Sequence, residues 1–190
     1  MRRSPIPAAL LLILATIALA PGLAAAQEPT GPVECGVYEG VVCVGWFTDE
    51  PGVVADPQRV EDAIDRLVGR YGNDIAIVIV TDSRGQDPLA FAANLGNAWG
   101  VGDVERDDGI VVLIDLDAQF TAIVTGPGVT IPEDTLAGAG NSFFGVGDFE
   151  GGTLAIVGSL EQALAVFHGV AVVPELTPVI TEPEEDVSSG

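Results

Sequence analysis

The 190-residue chain contains no lysine and only one histidine, His168. These two absences remove whole classes of chemistry. Without lysine there is no P-loop cation for nucleotide phosphates and no Schiff-base amine. A Ser-His or Cys-His pair would have to use His168, and histidine-rich zinc sites are excluded. His168 lies just after a helical apolar face, where a structural histidine is the expected role. Basic residues are scarce in general, 7 against 28 acids, for a net charge of −21. So negative a chain repels nucleic acid and anionic lipid, and nucleic-acid binding is excluded. Residues 100–105 carry glycines without completing a GxGxxG fingerprint, so no dinucleotide cofactor is indicated.

What is present explains why a chain this acidic has a mean hydropathy of +0.42. Residues 1–26, MRRSPIPAALLLILATIALAPGLAAA, read as a secretory signal peptide: Arg2 and Arg3, an apolar run, then Ala24 and Ala26 before Gln27. An uncleaved anchor is the alternative, but the run is about 13 residues where a spanning helix needs about 20. No second long apolar run follows, so no membrane span is expected after cleavage. Cleavage leaves 164 residues, one domain's worth, and five arginines against 28 acids, a net charge of −23. The expected location is secreted or extracytoplasmic, in the cell envelope.

Cys35 and Cys43, the only cysteines, are spaced C-x7-C in a segment expected outside the cytoplasm, and we read them as one disulfide. It would staple a hairpin-like extension over residues 27–46 and stabilise the fold by roughly 2 to 3 kcal/mol on the chain-entropy model. A redox or metal pair is the alternative, although redox pairs are usually C-x-x-C.

The main domain is expected over residues 47–173, with an acidic disordered tail over 174–190. Asp56-Pro57 and Asp87-Pro88 are each a cap followed by proline, the start of a helix. Val60, Ile64, Leu67 and Val68 form one apolar stripe, and Phe91, Leu95 and Trp99 another. Residues 75–80 (IAIVIV) and 110–114 (IVVLI) are apolar on both faces, as strands covered on both sides should be. Residues 120–124 return across a tight turn at Asp117 and must therefore be antiparallel. Further helices are expected at about 132–144 and 153–167, then a short apolar run over 170–173. This order predicts an α/β fold, a three-layer α/β/α sandwich around a Rossmann-like mixed sheet with an antiparallel edge.

Asp103, Glu105, Asp107 and Asp108 make the densest polar constellation, in a loop of the kind that borders ligand crevices. Glycines in this loop and at 126–128 would let carbonyls approach an ion. Carboxylates with carbonyls suit a hard cation, calcium before magnesium. The loop is not an EF-hand, since Asp108 stands where glycine and Ile114 where glutamate is required. A solvated acidic loop is the alternative. Asp82, Glu133, Asp148 and Glu150 each fit a turn or helix-start role.

Residues 91–102, FAANLGNAWGVG, followed by 106–114, RDDGIVVLI, resemble the TPM-domain family. There a helix ending in Trp-Gly-x-Gly leads through an Asp-Asn-Gly-like turn into an apolar strand. Residues 47–54, FTDEPGVV, and 147–152, GDFEGG, are similar to its opening and pre-helix segments, so the resemblance spans about 46–167. It implies a Rossmann-like α/β/α sandwich, an extracytoplasmic or thylakoid-lumenal location, calcium in some members, and a phosphatase activity proposed for plant relatives linked to photosystem II repair. By the resemblance, Asp107 takes the place of the turn aspartate, Asp108 stands where asparagine is common, Asp49 matches the opening aspartate, and Asp134 falls near a later acidic position. The expected metal ligands are thus Asp107, Asp108, Asp49, Asp103 and Asp134. The Gly-Leu-Glu usual after residues 126–128 is missing. Two functions are expected in turn: an exported calcium-binding, non-catalytic interaction or assembly module with an envelope protein partner, or a metal-assisted acid phosphatase.

Overall fold

Asp56 opens α1 (Pro57–Tyr71) by accepting the Arg59 N–H at 3.2 Å, and Gly72, left-handed at φ 74°, closes it. Asp87 does the same for α2 (Pro88–Trp99), accepting from Leu89 and Ala90, with Gly100 left-handed at its end. The computed structural model describes residues 36–170; the segment 1–26 read as a signal peptide, Cys35 and the segment 174–190 read as an acidic tail lie outside the described residues.

Between these helices run the strands. β3 (Phe47–Asp49), β4 (Ile75–Val80), β5 (Ile110–Asp115) and β6 (Phe120–Thr125) form a sheet in that order, the first three parallel and β6 antiparallel. A separate hairpin pairs β1 (Val37–Tyr38) with β2 (Val41–Val42). Its turn residues Glu39 (φ 49°) and Gly40 (φ 85°) are both left-handed, the geometry that matches strand twist in a two-residue turn.

Every residue of β4 and β5 is buried. Ile75, Ile77, Ile79, Ile110, Val112 and Ile114 face one layer, built from α1 and from α5 (Phe149–Phe167). Val78, Val80, Val111 and Leu113 face the other, where α2 supplies Phe91, Leu95 and Trp99 and the hairpin supplies Val41. The result is the expected three-layer α/β/α sandwich with an antiparallel edge. α1 carries the chain from β3 to β4 on one face, and α2 carries it from β4 to β5 on the other. Both steps advance in the same direction across the sheet, so their hands are opposite and one departs from the right-handed rule.

Three elements differ from expectation. β3 was not foreseen, because its three residues run into a turn-rich segment; the carboxylate of Glu61 on α1 sets its start by accepting the Trp46 and Phe47 N–H groups at 2.8 and 2.7 Å. The helix expected at 132–144 is broken into α3 (Glu133–Ala137), a 3₁₀ turn (Gly138–Gly140) and α4 (Asn141–Phe144). Gly140 is buried against the Phe144 ring and the carbonyl of Gly152, a contact that leaves no room for a side chain. α5 starts four residues early, at Phe149, because Asp148 caps it through the Gly151 N–H at 2.8 Å. Of the apolar run at 170–173, only Val170 lies within the described residues.

Gly96 on α2 lies close against Val111 of β5. An alanine there would gain helix propensity, yet its Cβ would stand 2.6 Å from Cγ2 of Val111. We predict that Gly96→Ala lowers stability by about 1 to 3 kcal/mol, as overpacking does, and that adding Val111→Ala restores part of the loss. Denaturant unfolding of the three variants checks this; a stabilising Gly96→Ala would contradict it.

Candidate functional site

The acidic loop at residues 100–109 leads from α2 into β5 and so lies at the amino ends of the parallel strands. Ligand crevices of open α/β sheets form at the carboxyl ends, so the crevice argument does not apply to this loop. Its carboxylates are engaged locally. Asp103 Oδ1 accepts from the Glu105 and Arg106 N–H groups at 2.9 and 3.0 Å. Asp108, buried, accepts the Asp103 N–H at 3.0 Å and takes Arg106 Nε at 2.6 Å. Asp74 accepts the Gly102 N–H at 3.2 Å. The glycines serve backbone contact as well: a Cβ on Gly126 would collide with the carbonyl oxygen of Asp107, and one on Gly128 with that of Arg106. The Gly128 N–H donates to the Asp107 carbonyl at 2.9 Å.

Sequence reasoning had not singled out Asn73. It is buried, donates to the Asp108 carbonyl at 3.2 Å, and meets His168 Nε2 at 2.7 Å through its own oxygen. His168 stacks on Tyr71, with ring centroids 5.6 Å apart. Its role is to fasten the end of α5 to the acidic loop.

Asp103, Asp107 and Asp108 thus share one loop, with Asp107 exposed and left-handed at φ 49°. Asp134 is exposed in the first turn of α3, which the chain enters from β6 at the same end of the sheet. Asp49 does not join them. It ends β3 level with Ile79, while Asp108 precedes Ile110, which is level with Ile75; about six residues of strand, roughly 20 Å, separate the two ends. Both Asp49 oxygens close a turn by accepting the Gly52 and Val54 N–H groups at 3.0 and 2.8 Å. The five aspartates therefore do not fit one preformed calcium site. Among the described residues no three His, Cys, Asp or Glu side chains are grouped to hold a metal ion.

The carboxyl ends carry their own polar set. Arg84, left-handed at φ 55°, pairs with Glu50 and with Asp82 at 3.5 Å, and donates to the carbonyl of Glu39 at 3.3 Å. This arginine ties the hairpin to the ends of β3 and β4. The Ser83 hydroxyl donates to buried Asp115. Two clefts open here, one of about 320 Å³ beside Asp115 and one of about 360 Å³ between Val42, Val44 and β3.

Electrostatics follow the contacts. The Arg106 and Glu105 N–H groups hold the Asp103 carboxyl below the usual range, and the hydrogen bond to Asp108 raises the Arg106 guanidinium. Burial pushes Glu61 up, against the two N–H groups it accepts. Burial also pushes Asp74 up, with repulsion from Asp108 adding and the Gly102 N–H opposing.

A model of the TPM domain matches residues 47–163, and this chain belongs to the TPM-domain family. Its fold is similar to the solution structure of the N-terminal domain of a protein from P. gingivalis, at TM-score 0.56 and 20% identity over 64% of this chain and 82% of that one. It is also similar to the N-terminal domain of the cg2496 protein from Corynebacterium glutamicum, at TM-score 0.52 and 17% identity over 78% and 86%. No curated protein matches the chain.

A carboxyl with a raised folded-state pKa holds its proton more tightly when folded, so its contribution is present at low pH and is lost as pH rises through the folded value. Asp74→Asn removes that loss while keeping an oxygen for Gly102. The stability of the variant relative to wild type should therefore increase across the window that opens at the ordinary aspartate value, about pH 4, and runs upward. Parallel melting curves across that window would contradict the assignment.

Proposed function

We propose that this chain is an exported TPM-domain module that binds an envelope protein partner and does not itself catalyse a reaction. The observation that carries this reading is the use made of its acids. Asp49, Asp103, Asp108 and Asp115 each accept backbone N–H groups, Asp108 and Glu50 also hold arginines, and none of these carboxylates is left poised as a base. Export rests on the signal reading of residues 1–26, and the Cys35–Cys43 disulfide belongs with it; Cys43 is buried beside the hairpin, and Cys35 lies outside the described residues. Among the described residues no helix is long and apolar enough to cross a membrane.

Calcium enters this reading at the 103–108 loop alone, where exposed Glu105 and Asp107 and half-exposed Asp103 are the carboxylates a cation can reach. Binding there would be no tighter than about 0.1 mM, the range of extracellular modules, because few charged ligands converge. The phosphatase reading requires Asp49, Asp107 and Asp108 on one cation. The sheet stands between them, and Arg106 already occupies Asp108.

Calorimetric titration with calcium should give weak heat that Asp107→Ala abolishes and Asp49→Ala leaves unchanged. A chromogenic phosphate ester should not be hydrolysed with or without metal. Metal-dependent turnover lost in both Asp49→Ala and Asp107→Ala would overturn the non-catalytic reading, and an absence of calcium heat would remove calcium from it.

A further inference from the structure

At the carboxyl end of β5, where open α/β sheets form their ligand crevices, the β5–β6 turn, α4 and the start of α5 enclose the cleft of about 320 Å³. Part of its lining is apolar, from Leu116, Phe144 and Phe149. Phe144 and Phe149 stack with centroids 5.8 Å apart. Gly140 and Gly152 pack directly on the Phe144 ring, since a Cβ on either would collide with it, so this wall is preformed. The rest of the lining is polar and neutral, from Gln119, Thr121 and Asn141. None of these three side chains enters a hydrogen bond among the described residues. Two amides and a hydroxyl are thus left with both donors and acceptors to offer.

The cleft carries no charge of its own. Asp115 and Phe120 border it, but they alternate with Leu113 and Ala122, which face α2, so both side chains leave on the other side of the sheet. Both Asp115 oxygens are already engaged, one by the Ser83 hydroxyl and one by the Ala118 N–H at 2.9 Å. α5 begins beside the cleft, yet Asp148 caps it and Glu150 lies in its first turn. Two carboxylates at that helix start leave little of the dipole for an anion.

These features discriminate between ligands. A net charge of −21 opposes phosphate esters and other anions. Inorganic cations such as calcium need several charged oxygens, and this lining supplies none. A purely aliphatic ligand would cover the amides and the hydroxyl without replacing the water they bind. What the lining matches is a small neutral ring with one C–H face and a rim of hydroxyls. The C–H edges carry partial positive charge and pack on the negative faces of aromatic rings, and each hydroxyl both donates and accepts, as the amides do. The volume, at the low end of the range for small-molecule sites, suits such a ligand. We propose that this cleft binds a neutral pyranose sugar, with its C–H face against Phe144 and Phe149 and its hydroxyls toward Gln119, Thr121 and Asn141. The proposal rests neither on calcium at the 103–108 loop nor on the protein partner.

The test is a titration of the isotope-labelled protein, followed by NMR, with the methyl glycosides of glucose, galactose, mannose and N-acetylglucosamine. Two comparison ligands are cyclohexanol, a ring without the hydroxyl rim, and the 6-phosphate of the sugar that binds best. At least one glycoside should shift the amides of Leu116, Gln119, Thr121 and Gly145 saturably, with a Kd on the order of 1 to 10 mM, the range open to so small a ligand. Cyclohexanol should bind at least about three-fold more weakly, because it leaves the amides unpaired, and the 6-phosphate should also bind more weakly, because it is an anion. Thr121→Val and Asn141→Ala remove side-chain groups that hold nothing in the fold, and each should weaken the glycoside by about three- to ten-fold, as loss of one hydrogen bond does. No saturable shift with any of the four glycosides, cyclohexanol or the 6-phosphate binding as tightly, or either variant binding unchanged would overturn the proposal. Should Asn141→Ala fail to fold, Thr121→Val and the ligand comparisons decide it.

Discussion

The parallel pairing of β4 with β5 is the constraint from which the remaining structure follows. Six residues on each strand are in register and buried on both faces, so each strand must be covered by helices on two sides. Each fully buried isoleucine here contributes about 2 to 3 kcal/mol. The same pairing divides the polar residues, because loops entering these strands and loops leaving them reach opposite ends of the sheet. Apolar surface is taken up in the layers, and the acids are displaced to the two ends and the outer helix faces.

A small number of cations link loops and helices to one another. Arg106 holds the loop before β5, and Arg84 holds the ends of β3 and β4 together with the hairpin. Arg59 and Arg70 join α1 to α5 through Glu150 at 2.8 Å and Glu161 at 2.7 Å. Exposed pairs of this kind are each worth little, about 0 to 1 kcal/mol. The backbone N–H groups that Asp49, Asp103 and Asp108 accept matter more, because they fix turns that the chain must make. Acidity that looks in composition like a demand for metal is used largely as a set of hydrogen-bond acceptors.

Much of the architecture was legible in the sequence. The Asp-Pro caps marked α1 and α2, doubly apolar runs marked β4 and β5, and the short return marked the antiparallel edge, because each of these signals is local. β3 was not legible, since three residues beside a turn carry no periodicity and Glu61, fourteen positions on, defines the strand's start. The break at Gly138–Gly140 depends on contact with α5, which no local signal encodes. The grouping of Asp49 with Asp107 and Asp108 failed for a related reason. Asp49 ends a strand and Asp108 precedes one, so in parallel strands they lie at opposite ends; that inference was open once β3 was known to be a strand.

Hydrogen exchange at two amides tests this account most directly. The Asp103 and Val54 N–H groups donate to Asp108 and Asp49 respectively. If the acids hold the fold themselves, both amides are already protected in calcium-free buffer, and millimolar calcium adds at most a small further slowing at Asp103 and none at Val54. Amides that exchange freely without calcium and become protected when it is added would show that these carboxylates are organised by the ion, and would contradict the account.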